Sequence, residues 1–384
     1  MLLSEHEQAR VSYTESIVAC DAALTCVPDL VQSLNNKGLS LSGLAELQTI
    51  LSEYKKAKES HIESIDTYDK ILKHASNNVI ALSNKGLSLS RLADLQVMLL
   101  EYEQARANYT ESIDAYNKIL KLALDDVIVL SNKGLSLLKL ANLQAMISEH
   151  EQARVSYTES IVACDSALKY SPDYVDALNN KGSSLQRLAD LQVVLSEHNQ
   201  ARVNYVKSIA AYDAVLKCAP DYVDALNNRG NSLRCLADLQ VILSEYEQAR
   251  AIYAKSILAY DAVLKHAPGY VMVLRNKGAS LQRLADLQVA LLEYSDARAS
   301  YGASIVAYDA ALERSPDDVS ALNNKGISLS KLANFLLQQK QLDSAVECFE
   351  MAWSLYERSL QIAPNDTNIQ QRRDQLISRL NELQ

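Results

Sequence analysis

Apolar positions along the chain recur at three- and four-residue steps, in segments too long and too regular for strands. In VDALNNKGSSLQRLADLQVVLSE, Leu178, Gly182, Leu185, Leu188, Ala189 and Leu195 fall on one face of a helix. The segment EQARANYTESIDAYNKILKLA carries Ala105, Tyr109, Ser112, Ile113, Tyr116, Ile119 and Leu120, with Tyr102 just before it, as a stripe on seven-residue steps. These two patterns, helix A and helix B, alternate from end to end. Two helices of about 22 residues make an antiparallel hairpin roughly 30 Å long. Neither buries its stripe alone, so hairpins must stack.

The punctuation repeats with the pattern. An Asn-Lys/Arg-Gly triplet ends at Gly38, Gly86, Gly134, Gly182, Gly230, Gly278 and Gly326, a constant step of 48 residues. Every proline (Pro28, Pro172, Pro220, Pro268, Pro316, Pro364) falls at one repeat position, with Ser76 and Leu124 filling it in two other copies. The next residue is Asp29, Asn77, Asp125, Asp173, Asp221, Gly269, Asp317 or Asn365, which predicts an N-cap for each helix A. Between A and B, Ser52, Ser148 and Ser244 begin a Ser-Glu-Tyr/His-Glu run that reads as a capping box for helix B.

Leu34, Asn36, Gly38, Leu41, Leu44, Ala45 and Glu46, followed by Ser64, Tyr68 and Ile71, resemble the tetratricopeptide pattern over residues 29–364 in seven copies. The resemblance implies an all-α fold, a right-handed superhelical α-solenoid of antiparallel helix hairpins. The usual unit has 34 residues, so this one is a long-helix variant. The family's turn glycine is replaced by Ala45, Ala93, Ala141, Ala189, Ala237, Ala285 and Ala333, which keep the helix going. Residues 1–28 align with the helix-B half of a unit, and residues 365–384 read as a C-terminal capping helix. The first is an unpaired half-hairpin: either the chain is part of a longer product or this helix packs on a neighbour. Residues 4–23 nearly duplicate residues 148–167, which points to expansion by block copying.

Composition narrows function. A hydrophobic share of 48% supplies a continuous core, while 10 Gly and 6 Pro are few for a turn-rich β protein. With 38 Lys and Arg against 47 Asp and Glu, the net charge of −9 argues against nucleic acid as a partner. The opening MLLSEHEQARVSYTES has no basic n-region and no apolar h-region, and no stretch of about 18 apolar residues occurs, so no membrane insertion is expected and the expected location is cytoplasmic. Cys20, Cys26, Cys164, Cys218, Cys235 and Cys348 form no CxxC pair, which fits reduced thiols. No GxGxxG, GxSxG, HExxH or phosphate loop occurs, so neither enzyme activity nor a metal or other cofactor is expected.

The candidate site is a peptide-binding face on the A helices. Asn36, Asn84, Asn132, Asn180, Asn228, Asn276 and Asn324 lie about 160° around from the packing glycine, on the expected concave side. Seven residues on come Arg91, Lys139, Arg187, Arg283 and Lys331, with Gly43 and Cys235 breaking the row. In similar proteins such an asparagine ladder grips an extended peptide backbone, since the amide donates and accepts at once. The rival reading is that Asn is the family's usual residue and sets the register of neighbouring helices. Along the same face Leu39, Ile80, Leu87, Ile128, Leu135 and Leu138 predict an apolar groove in the early units, against Asp176, Ser183, Gln186, Asp224, Asn231 and Arg234 later. The chaperone-tail clamp of some relatives is not matched, Arg275 being an isolated exception. Tyr109, Tyr116, Tyr205, Tyr212, Tyr253, Tyr260, Tyr301 and Tyr308 read as core, and His6, His150 and His198 as edge packing residues at a Tyr position.

The expected function is a scaffold that holds a protein or peptide partner in the groove of the A helices. Two alternatives are a self-assembling array, joined head to tail by residues 1–28 of one copy and the tail helix of the next, and the recruiting arm of a larger enzyme.

Overall fold

The structure is a computed structural model that describes residues 2–383. It divides into two compact units, Met1–Leu195 and Ser196–Gln384. The first contains α1 (Leu2–Cys26), α2 (Val31–Ile50), α3 (Tyr54–His74), α4 (Val79–Met98), α5 (Tyr102–Leu120), α6 (Val127–Met146), α7 (His150–Tyr170) and α8 (Val175–Val194). The second contains α9 (His198–Cys218), α10 (Val223–Ile242), α11 (Tyr246–His266), α12 (Val271–Ala290), α13 (Tyr294–Arg314), α14 (Val319–Gln338), α15 (Leu342–Ile362) and α16 (Thr367–Leu383). Even-numbered helices are A and odd-numbered ones B, and no strand occurs among the described residues. Each unit is an all-α solenoid of tetratricopeptide-like hairpins, in which α2, α4, α6, α10, α12 and α14 each pack most extensively on the B helix that follows.

A glycine and an aromatic ring close each hairpin. A Cβ on Gly38 would lie 2.6 Å from Tyr68, and Gly230, Gly278 and Gly326 meet Tyr260, Tyr308 and Tyr356 in the same way. Cys164 fills the ring's place opposite Gly134, at 2.7 Å. These glycines have ordinary helical backbones, so lack of a side chain is what the site needs. Gly230→Ala is therefore expected to destabilise the second unit by about 1–3 kcal/mol despite alanine's better helix propensity. The Tyr260 ring cannot swing aside, being fully buried with its hydroxyl donating to Asn231 at 2.8 Å. Gly302, with nothing within 4 Å of the added Cβ, is the control, and its Ala variant should gain up to about 1 kcal/mol. Urea midpoints of the two variants moving in the same direction would contradict this.

A buried serine ladder, which the sequence reading missed, joins hairpin to hairpin. In five hairpins a helix-B serine (Ser64, Ser112, Ser160, Ser256, Ser304) donates to the packing glycine's carbonyl at 2.7–2.8 Å. These serines, together with Ser208, meet a serine of the next A helix (Ser88, Ser136, Ser184, Ser232, Ser280, Ser328) at 2.7–3.1 Å. Three helices come together at each such point with no room for a larger residue.

Two boundary expectations are corrected. Ser52, Ser148 and Ser244 do not cap helix B. They are left-handed, at φ 60–65°, as are Leu100, Ser196, Leu292 and Lys340. They terminate helix A: Ser52 N–H donates to Thr49 at 3.0 Å and Glu53 N–H reaches back to Gln48 at 2.7 Å, the paired bonds of a left-handed C-cap normally built on glycine. The residue before helix B is the following Glu (Glu53, Glu149, Glu245), whose side chain makes no capping bond. At the other end, the N-cap lies one residue after the Asp29 series. Asn78, Asp126 and Asp318 accept from the amides of Ala81, Val129 and Ala321 at 2.9–3.0 Å, while Leu30, Tyr174, Tyr222 and Tyr270 occupy the position without a side-chain cap.

Candidate partner-binding face

The outward stripe of each A helix is read at steps of four and three. In α4 it is Ile80, Asn84, Leu87, Arg91, Asp94 and Met98; in α6 it is Ile128, Asn132, Leu135, Lys139, Asn142 and Met146. Its polar middle is strongly cross-linked. Asn84 Nδ2 donates to Asn35 at 3.1 Å, Asn276 to Asn227 at 3.0 Å, and Asn180 to both oxygens of Ser131. Each partner lies 49 residues back, on the preceding A helix. These three asparagines thus place their N–H on the stack. Asn180 is buried, Asn36 is exposed, and Asn84, Asn132, Asn228, Asn276 and Asn324 are half-buried, Asn228 accepting from Asn227.

The cationic row behaves alike. Arg91 pairs with Glu46, Lys139 with Asp94 at 2.6 Å, Lys331 with Asp286 at 2.5 Å, and Arg283 approaches Asp238 at 3.9 Å. Arg187 instead turns to Asp190 on its own helix, at 3.6 Å. Three of the aspartates also accept from a helix-B tyrosine: Tyr109 to Asp94 at 2.6 Å, Tyr253 to Asp238 at 2.5 Å, and Tyr301 to Asp286 at 2.7 Å. Burial, then the carboxylate beside it, hold each of these phenols protonated, well above its ordinary range. Tyrosine, aspartate and lysine or arginine therefore form a relay that fixes one hairpin on the next.

Apolar groups stand at the two ends of the stripe. Leu39, Ile80 and Ile128 are exposed, Ile80 at 63% and Ile128 at 58%. Leu87 and Leu135 are half-buried. Leu138 is a core residue and not part of a groove: it packs with Ala141, Tyr157, Leu188 and Leu191. At the C-terminal ends of the A helices a second apolar row, not foreseen, comprises Ile50, Met98, Met146 and Val194, each more than half exposed. The signal was present in the 48-residue alignment of these four positions. In the second unit the same position holds Ile242, Ala290 and Gln338, and the N-terminal isoleucine position, already Asp176 in α8, holds Asp224, Met272 and Ser320.

Clefts open beside this row. Asp94, Val97, Lys139, Leu143 and Met146 line one of about 170 Å³ in the first unit. Their counterparts Asp238, Val241, Arg283, Leu287 and Ala290 line one of about 380 Å³ in the second. Each is lined by apolar side chains together with a carboxylate and the cation facing it. No group of three or more His, Cys, Asp or Glu among the described residues is arranged to hold a metal ion. Nor is any described helix long and apolar enough to cross a membrane.

In α16, Asp374 stands 48 residues beyond Gly326, at the glycine position of the packing pairs. A ring or thiol approaching to the distance of Tyr356 at Gly326 would meet its side chain, which opposes in-register completion of the hairpin by residues 1–28 of a second copy.

No family model and no curated protein matches the chain. Among solved structures it is similar to BtubC from P. vanneervenii (14% identity, 69% of this chain and 93% of that one, TM-score 0.48). A tetratricopeptide repeat protein from Parabacteroides merdae is similar at 15% identity, over 88% of this chain and 98% of that one, with a TM-score of 0.42. A thermophilic protein of the same type from Thermus thermophilus is similar at 16% identity, over 64% and 98%, with a TM-score of 0.35. The repeat assignment rests on the hairpin packing itself.

Proposed function

We propose that this helical-repeat scaffold binds a segment of a partner protein on the outward face of its A helices, most strongly in the first unit. The observation that carries the reading is the exposed apolar pair of rows, Ile80 and Ile128 at one end of the helices and Met98 and Met146 at the other. Uncovered, these side chains lose nothing by being polar, whereas a partner's apolar side chains would gain from burying them. The asparagines and cations between them act chiefly as rungs of the stack; the free Oδ1 of Asn84 remains an acceptor for a partner's backbone N–H.

Full-length protein carrying Met98→Ser, Met146→Ser and Ile128→Ser together should lose, by at least about tenfold, the partners that the unaltered chain captures. Far-ultraviolet circular dichroism should be unchanged. Undiminished capture by a folded triple variant would refute the proposal.

A further inference from the structure

The B helices carry a second patterned surface that the A-face reading does not use. Four outward positions recur on every B helix. In α3 they are Glu59, Ile62, Glu63 and Asp66; in α5 they are Ala107, Thr110, Glu111 and Asp114. Two of these acids are engaged: Glu63 pairs with Lys37 at 2.8 Å and Glu111 with Lys85 at 2.7 Å. In the second unit the same positions become Val203, Val206, Lys207 and Ala210 in α9, and Ala251, Ala254, Lys255 and Leu258 in α11. The sign has reversed at one of the four positions, from Glu to Lys, beside apolar neighbours of the kind that Val155 and Val162 already supply around Glu159 in α7.

No described residue answers this change. Lys207 and Lys255 make no ion pair among the described residues, and Arg229, the basic residue that in the repeat would meet a glutamate at the position of Lys255, is bound to Asp213 at 2.6 Å. Val203 is 51% exposed, Val206 53% and Leu258 67%. The two helices flank α10, and Arg202 of α9 bridges to Glu245 at the start of α11 at 2.5 Å, so the two outer faces are held side by side.

We propose that the outer faces of α9 and α11 form a docking surface for an acidic amphipathic helix of a partner protein. Apolar residues of that helix at three- and four-residue steps would cover Val203, Val206 and Leu258, and carboxylates flanking the stripe would meet the two unpaired ammonium groups. Charge complementarity selects the sign of the partner, and the apolar contact supplies most of the affinity.

The test uses the full chain and a fluorescein-labelled designed peptide of about 18 residues, a Leu stripe flanked by Glu, read by fluorescence polarisation. A second peptide has Lys in place of each Glu. The acidic peptide should bind, more weakly as salt rises, and the basic one should not. Lys207→Glu with Lys255→Glu should weaken binding by at least about tenfold, as should Val206→Ser with Leu258→Ser. The A-face triple variant should bind the peptide as the unaltered chain does, so failure here is distinct from failure of the A-face proposal. Equal binding of both peptides, indifference to the lysine reversal, or loss in the A-face variant would each overturn it. So would vesicle binding that needs phosphatidylserine and the two lysines while the peptide is ignored. The same holds for a concentration-dependent dimer in light scattering that the lysine reversal abolishes, since a second copy would then be the occupant.

Discussion

Replacing Ser112 with Val is expected to destabilise the first unit by about 3 kcal/mol, more than its slight change in volume suggests. Ser112 is fully buried where α4, α5 and α6 meet. Its hydroxyl donates to Gly86 O at 2.7 Å, which commits its one hydrogen, so the contact with Ser136 Oγ at 3.0 Å is donated by Ser136. Valine removes the donor, strips Ser136 of its acceptor, and adds a methyl group to a point where the glycine already lets two helices touch. The first two effects leave buried polar groups unanswered at about 1–3 kcal/mol, and overpacking adds a similar amount. Ser112→Ala keeps the space and should lose only about 1–2 kcal/mol. Thr110→Val, two residues away on the exposed side, should change stability by less than about 0.5 kcal/mol. Hydrogen exchange of the α4 to α6 amides distinguishes the three variants. A Ser112→Val protein as well protected as the parent would show that the ladder contributes nothing.

Much of the fold was legible because the period is long and nearly unbroken. The glycine, the small residues around it and the tyrosine stripe each announce a packing contact, and Gly230 against Tyr260 is such a contact. The boundaries were less legible for a specific reason. The left-handed residue ending helix A is Ser52, Leu100 or Lys340, never glycine, so the strongest C-cap signal is absent and a serine followed by glutamate imitates an N-cap. At the start of helix A two consecutive capping residues (Asn77 and Asn78, Asp125 and Asp126, Asp317 and Asp318) make the register ambiguous. In other copies Tyr174 and Tyr270 occupy the cap and are half-buried against the core, packing in place of capping. The site was legible in its residue types and not in their pairing. Arg91 and Lys139 lie on the outward stripe of their helices, but their carboxylate partners are 45 residues back, a separation that becomes a contact only once hairpins stack. The serine ladder went unnoticed because single serines on a helix carry little signal; their recurrence at 26 and 24 residues from their partners does.

Acidification from pH 7.5 to 5 is expected to weaken the α3 and α4 region by about 2 kcal/mol through one residue, His61, rising toward about 3 kcal/mol at lower pH. Aligned on the repeat, His61 occupies the position of Tyr109, Tyr157, Tyr205, Tyr253, Tyr301 and Phe349. It is 2% exposed and its buried Nδ1 has no hydrogen-bond partner. Burial first, and then the Arg91 guanidinium nearby, lower its pKa from 6.5 to about 4. The sign follows from that depression. Above pH 6.5 the imidazole is neutral whether the chain is folded or not, and it contributes no pH dependence. Between pH 6.5 and 4 the unfolded chain binds a proton that the folded one refuses, so stability falls as pH falls, and below pH 4 the loss levels off. His61→Tyr restores the ring used in neighbouring hairpins and should remove this acid step while leaving the rest of the chain's acid response unchanged. Hydrogen exchange of α3 and α4 at the two pH values measures the difference between the two proteins. An equal loss in both, or a His61 ring titrating near pH 6.5 by nuclear magnetic resonance, would show that the imidazole is solvated and that the hairpin is open there.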